Sequence, residues 1–121
     1  MLNELISILI PIKNVEKTIE KCLETLISQS YKNFIIYVLY ENSEDETWEI
    51  IKKIQNKYPE KIIIKKTKKN VPARYNEILK EIGSDFIFFI DGDCSSERHC
   101  LEKLMQQVKK YPDYTGFTGN V

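Results

Sequence analysis

The sequence is poor in the residues on which disulfide-bonded, zinc-binding and membrane-spanning proteins depend. Among its 121 residues are one histidine and three cysteines at unrelated spacings, which predicts neither a disulfide framework nor a zinc site. It has only four glycines, and neither of the two common glycine-rich phosphate loops occurs. No apolar run approaches the ~18 residues of a membrane span, and the first residues lack a signal peptide's basic segment. We therefore expect a soluble cytoplasmic protein.

Net charge is also absent, but the charges are segregated along the chain. The 18 basic and 18 acidic residues sum to zero, which argues against binding nucleic acid by bulk attraction. Residues 52–74 nevertheless contain nine basic residues and one acid, Glu60, whereas residues 41–49 contain five acids and no base. This distribution leaves room for one small anionic ligand held locally.

The apolar residues, with a hydrophobic fraction of 42%, alternate between two periods and predict one α/β domain. Nearly unbroken apolar runs predict buried strands at 5–12, 34–39, 62–64 and 86–90, with a fifth strand beginning near 114. Helical spacing predicts helices at 15–27, 48–58, 72–82 and 101–108. We expect Asn14 to cap the first helix and Ser43 with Glu46 to form a capping box for the second. The expected fold is a Rossmann-like three-layer sandwich with a mostly parallel sheet and right-handed connections.

Polar residues follow each predicted strand, where parallel sheets bind their ligands. The segments are 11–14, 40–43, the basic loop through Arg74, and Asp91-Gly92-Asp93. Two carboxylates flanking a glycine can turn toward one Mg²⁺ or Mn²⁺ ion. Two other interpretations remain open: an aspartate helix cap beside a solvated aspartate, and an aspartyl nucleophile at Asp91 with Asp93 as general acid. A calcium loop is rejected because Ser96 stands where its turn needs glycine.

Five segments resemble, in order, the motifs of one known family: Ser7–Asn14 (S-I-I-I-P-x-x-N), Gln29–Phe34 (Q-x-Y-x-N-F-E), Glu41–Thr47 (D-D-G-S-x-D-x-T), Asn70–Asn76 (N-x-G-x-x-x-A-R-N) and Asp85–Asp93 (D-Y-I-x-F-L-D-x-D). The family is the inverting family 2 glycosyltransferases of GT-A fold, and the similar part is their N-terminal, nucleotide-sugar-binding part. The chain departs from the pattern at the second-strand turn, where Tyr40-Glu41 replaces two acids and Asn42 replaces glycine.

The resemblance implies that residues 1–121 are the donor-binding part of a glycosyltransferase, which transfers sugar from a UDP- or GDP-linked donor with inversion. Glu41 would contact the nucleotide base, Arg74 the diphosphate, and Asp91 the ribose or a metal-bound water. The implied donor-binding residues are Pro11, Ile12, Asn14, Glu41, Ser43, Arg74, Asp91 and Gly92. Asp91 and Asp93 would bind Mn²⁺ or Mg²⁺, which offsets charge on the leaving nucleoside diphosphate.

The resemblance also places the acceptor part and the general base beyond Val121, so we expect this chain to bind donor without turnover. The expected partner is a nucleoside-diphosphate sugar rather than nucleic acid; a homodimer and peripheral membrane association of the full enzyme are left open. Three alternatives stand beside this function. They are a nucleotidyltransferase-like enzyme, for which the first loop offers only Lys13, an aspartate-nucleophile phosphohydrolase, and a non-catalytic nucleotide-binding module.

Overall fold

The computed structural model describes residues 4–66, 78–83 and 86–110. Its strands are β1 (Ile6–Ile12), β2 (Phe34–Tyr40), β3 (Ile62–Lys66) and β4 (Phe86–Phe89). Its helices are α1 (Ile19–Ile27), α2 (Thr47–Lys57), the helical residues 78–81, here α3, and α4 (Cys100–Lys110). The predicted order of strands and helices is confirmed over these residues. The predicted fifth strand and the beginning of the third predicted helix lie outside them, as does Arg74.

The four strands form one parallel sheet in the order β3-β2-β1-β4. Ile6 at the beginning of β1 lies opposite Phe34 of β2 and Phe86 of β4, so β1 is a central strand. The chain moves outward from β1 to β3 and then returns to the other side of β1 for β4. Strand order therefore reverses between β1 and β4, which is where open α/β sheets bind their ligands.

The sheet is covered on both faces. On one face, alternate residues of β1 and β2 pack in a large core with side chains of α1, α2 and α4, including Leu23, Ile51 and Leu101. On the other face, Leu9 and Leu39 pack with Ile78 of α3. The connection from β3 to β4, which contains α3, crosses the sheet in the opposite direction from the connections that contain α1 and α2. Right-handed crossovers therefore require α3 to lie on the opposite face from α1 and α2. The α/β three-layer arrangement is therefore confirmed.

Two predictions about helix beginnings are wrong. Helix α1 begins at Ile19 with Thr18 as its N-cap residue, so Asn14 does not cap it. Helix α2 begins at Thr47 with Glu46 at the N-cap position, and Ser43 lies three residues further out. The N–H of Ser43 donates to the hydroxyl of Tyr40 instead of forming a capping box. Both errors arose because these side chains bond to a distant loop, as described below.

Every helix among the described residues is too short or too polar to cross a membrane.

Candidate functional site

Two loops at the carboxyl edge of the sheet, the β1–α1 loop (residues 13–18) and the β2–α2 loop (residues 41–46), are joined by hydrogen bonds. The backbone N–H of Asn14 donates to Ser43 Oγ at 2.9 Å, and Asn14 Oδ1 accepts from the N–H of Glu44 at 2.8 Å. Asn14 has a φ of 51°, a left-handed conformation that asparagine tolerates better than most residues. The backbone N–H and the side-chain oxygen of Asn14 therefore both hold the two loops together.

Glu41 lies at the end of β2 beside the end of β1. Its N–H donates to the carbonyl of Ile12 at 3.0 Å, and its own carbonyl accepts from the Ser43 hydroxyl at 3.0 Å. Its carboxylate is 4.0 Å from Lys13 Nζ, and the side chain is 27% exposed. The backbone of Glu41 is thus held on two sides while its carboxylate remains accessible to a ligand.

Trp48 is the second residue of α2 and contacts Tyr40 at the end of β2. Its ring is partly buried and packs against the core and against the Tyr40 ring, with ring centroids 4.8 Å apart. Lys66 Nζ lies 4.5 Å from the centroid of the Trp48 ring. These contacts show that Trp48 is a packing residue.

Gly92 brings the β4–α4 loop (residues 90–99) against the end of β1. It is buried, and a Cβ added to it would lie 2.9 Å from Ile12 Cγ2. Its carbonyl accepts from Thr18 Oγ1 at 3.1 Å, and the neighbouring carbonyl of Asp91 accepts from Cys22 Sγ at 3.7 Å. The absence of a side chain at Gly92 is what permits this close approach.

Burial, together with the charges of Cys94, Asp93 and Asp91, raises the pKa of the Cys22 thiol to about 12. Cys22 therefore keeps its proton and acts as a buried hydrogen-bond donor at neutral pH. With 1% of its surface exposed, Cys22 is part of the core.

Asp91 and Asp93 expose their carboxylates next to this anchored backbone. Together with Cys94 they form a group whose ligand atoms, one from each residue, all lie within 4.8 Å of one another. Carboxylate oxygens are hard ligands of the kind that Mg²⁺ and Mn²⁺ prefer. The residues present therefore fit a divalent cation. Cys94 was missed at the sequence level, although its position directly after Asp93 was visible there.

Gln29 is a further residue whose role the sequence did not reveal. It is 0% exposed, and its Nε2 donates to the carbonyl of Glu97 at 2.7 Å while its Oε1 accepts from the N–H of Leu101 at 3.0 Å. Beside it, the N–H of Ser96 donates to Thr25 Oγ1 at 3.0 Å. These bonds hold the far end of the β4–α4 loop on α1. Motif similarity drew attention to Gln29, but only the fold shows what it contacts.

The structure brings the predicted site residues of three strands to one edge. Pro11 is partly exposed, Ile12 is buried, and both lie on the central strand. Because β2 and β4 flank β1, Glu41 and Asp91 lie on either side of it, two strand spacings or ~10 Å apart. The edge thus carries an acid on one side, a pair of carboxylates on the other, and the end of β1 between them.

The sheet is of the open α/β type, with acidic residues at the point where the strand order reverses, and comparisons with known proteins identify the family. Residues 7–119 match the model of glycosyl transferase family 2, so the chain belongs to that family. It is 33% identical to the putative glycosyltransferase EpsE of Bacillus subtilis, over 90% of this chain and 40% of EpsE. It is 28% identical to glycosyltransferase GlyA of Streptococcus pneumoniae, over 92% of this chain and 16% of GlyA. The chain therefore spans less than half of these relatives.

Solved structures confirm the GT-A type of fold. S. aureus TarS 1–349 in complex with UDP-GlcNAc has a TM-score of 0.70 and 24% identity, covering 88% of this chain and 32% of that one. The Pyrobaculum calidifontis mannosyltransferase PcManGT, in complex with GDP-Man and Mn²⁺, has a TM-score of 0.72 and 16% identity, covering 85% of this chain and 32% of that one.

Proposed function

We propose that this chain is the donor-binding part of a metal-dependent, inverting glycosyltransferase that uses a UDP- or GDP-linked sugar. The observation that carries the proposal is the exposed pair Asp91 and Asp93, placed across the end of β1 from the Glu41 carboxylate. Family membership supports it, as do two structural neighbours that hold UDP-GlcNAc and GDP-Man with Mn²⁺.

In this proposal the nucleoside lies over the ends of β1 and β2. The Glu41 carboxylate accepts a hydrogen bond from an N–H group of the base, while Pro11 and Ile12 flank the nucleoside. The residues proposed to touch the donor are Pro11, Ile12, Asn14, Glu41, Ser43, Arg74, Asp91 and Gly92. Arg74 suits the diphosphate because its planar group of donors matches phosphate oxygens.

The metal half of the proposed site is the β4–α4 loop. Asp91 and Asp93 would hold Mn²⁺ or Mg²⁺, and the bound ion supplies Lewis-acid stabilisation of charge on the leaving diphosphate. The chain's own contribution is orientation, because Gly92 and Thr18 fix the backbone from which both carboxylates project. Because the two carboxylates are already in place, the loop needs no rearrangement when the leaving group departs.

Calorimetric titration of the 121-residue chain with UDP and with GDP, each with and without Mn²⁺, tests the proposal. We expect one diphosphate to bind in the presence of Mn²⁺ and its affinity to fall at least about tenfold without the ion. Asp93→Ala removes one proposed carboxylate ligand and should weaken Mn²⁺-supported binding by at least about 10-fold, since losing even a residue that only supports a metal ligand typically costs about 10–100-fold. Glu24→Gln, which neutralises an exposed acid on α1, is the matched control and should bind as the wild type does.

Two results would contradict parts of the proposal. Binding that is independent of metal and unchanged in Asp93→Ala would remove the metal site. Binding of neither diphosphate by the wild-type chain would remove the donor site itself.

A further inference from the structure

Asp45 and Thr47 form the centre of the contact between the β1–α1 and β2–α2 loops. Thr47 is 0% exposed, and its Oγ1 accepts from the N–H of Val15 at 2.9 Å. One carboxylate oxygen of Asp45 accepts from the N–H of Glu16 at 3.2 Å. The other accepts from the N–H of Thr47 at 3.0 Å and from the Thr47 hydroxyl. Two side chains thus satisfy two consecutive backbone donors of a loop about 30 residues away in sequence.

These bonds go beyond helix capping. An aspartate that only capped α2 would accept from N–H groups of α2 itself. Asp45 does so through one oxygen, but its other oxygen and the Thr47 hydroxyl reach the β1–α1 loop. Moving that loop would leave the N–H groups of Val15 and Glu16 unpaired, which is costly where they are shielded from water. The pair therefore fixes one loop against the other.

The two loops carry the residues proposed to hold the nucleoside. Asn14 immediately precedes Val15, and it bonds through its backbone to the Ser43 hydroxyl, which in turn donates to the carbonyl of Glu41. A displacement of the β1–α1 loop therefore changes the position of Asn14 relative to the Glu41 carboxylate. Displacements of about an ångström at such a site are enough to weaken binding.

We propose that Asp45 and Thr47 are positioning residues of the nucleoside half of the donor site. This proposal rests on the function proposed above. They hold the end of β1 and Glu41 at the separation that the nucleoside requires, without touching the nucleoside themselves. Thr47 is buried, and both oxygens of Asp45 are engaged by the loops. Loss of either residue therefore lowers the affinity for the nucleotide, and it does so beyond any effect of lowered stability.

Thr47→Val and Thr47→Ser provide the test in the 121-residue chain. Valine keeps the shape of the side chain and removes the hydroxyl, whereas serine keeps the hydroxyl. We expect the affinity for UDP or GDP, whichever the wild type binds with Mn²⁺, to fall about tenfold in Thr47→Val. Thr47→Ser should restore it to within about threefold. The affinity for Mn²⁺ alone should stay within about twofold in both variants, because Asp91 and Asp93 project from a different loop.

Tyr31→Phe is the matched control for lost stability. The Tyr31 hydroxyl donates to the carbonyl of Glu4 at the opposite edge of the sheet, where β1 and β2 begin. Its removal should lower the urea midpoint and leave nucleotide affinity unchanged. If Thr47→Val does not fold, Asp45→Asn takes its place. Asparagine keeps the shape of the side chain but replaces one carboxylate oxygen with an NH₂ group, which cannot accept a hydrogen bond from a backbone N–H.

The outcomes separate the two proposals. If the wild type binds a diphosphate and Thr47→Val binds it equally well, the positioning role is wrong and the proposed function stands. Equal losses of affinity in Thr47→Val and Tyr31→Phe would likewise overturn the positioning role, because they would reflect general loss of stability. If the wild type binds neither diphosphate, the proposed function fails and the positioning role fails with it.

Discussion

Replacing Gly92 with alanine tests whether the loop that carries the two exposed aspartates packs tightly against the end of β1. The added Cβ would lie 2.9 Å from Ile12 Cγ2, closer than carbon atoms pack, and 3.6 Å from Ile19 Cδ1. Ile12 and Ile19 are 3% and 0% exposed, so neither can turn outward into solvent. Inserting one methyl group into such a site typically costs about 1–3 kcal/mol. We expect Gly92→Ala to lose that much free energy of unfolding.

Urea denaturation followed by the fluorescence of Trp48, the only tryptophan, measures this loss. With a urea dependence of about 2 kcal/mol per molar, the midpoint should fall by about 0.5–1.5 M. Gly83→Ala is the matched control, because nothing lies within 4 Å of its added Cβ and its φ is not positive. Gly83→Ala should leave the midpoint unchanged or raise it, with a gain of up to about 1 kcal/mol from a less flexible unfolded chain.

An unchanged midpoint in Gly92→Ala would refute the packing argument. A second measurement identifies the clashing partner, since Ile12→Ala removes the nearest methyl group. Gly92→Ala should cost less in the Ile12→Ala background than in the wild type, because the two residues are in contact and their effects are not additive. An equal cost in both backgrounds would show that Ile12 is not the partner.

Two other perturbations probe the hydrogen bonds that hold the site. Gln29→Met leaves the N–H of Leu101 unpaired in the interior and should lower the free energy of unfolding by about 1–3 kcal/mol, whereas the exposed Gln106→Met should change it by less than about 0.5 kcal/mol. Equal urea midpoints for these two variants would contradict the role of Gln29. Although desolvation by burial opposes it, hydrogen bonds from Thr47 and from backbone N–H groups lower the pKa of Asp45 below 3.8. The hydrogen-bonded carboxylate contributes its full stability above pH 3.8 and loses it as the pH falls through the lowered pKa, so the difference in unfolding free energy between wild type and Asp45→Asn should shrink as the pH falls below 3.8. A difference that stays constant below pH 3.8 would contradict this role of the Asp45 carboxylate.

Much of the architecture follows from the apolar pattern alone. The periods of two and 3.6 placed all four described strands within two residues of their ends, because burial on both faces of a sheet demands nearly unbroken apolar runs. The alternating order then implied a parallel sheet, which brings the ends of β1, β2 and β4 to one edge. The meeting of Pro11, Glu41 and Asp91 at that edge was therefore predictable from the sequence.

The local rules failed where a distant partner competed for a side chain. The spacing of Ser43 and Glu46 fits a capping box, and Asn14 is a common type of capping residue. In the structure the hydroxyl of Ser43 and the amide of Asn14 bond instead across the two loops, which are 29–30 residues apart in sequence. A rule based on spacing considers only residues that are near one another in sequence, so it could not predict these contacts.

The sequence by itself determined the class of fold, the order of its elements and the chemistry at the ends of its strands. Periodicity and residue type carry that information, because burial and charge are properties of each residue and its near neighbours. Only the tertiary structure decided which side chains remain exposed at the edge of the sheet and which form hydrogen bonds between the loops. Asp45, Thr47 and Gln29 differ from Asp91 and Asp93 in their contacts rather than in their polarity. Those contacts exist only once β1 lies between β2 and β4.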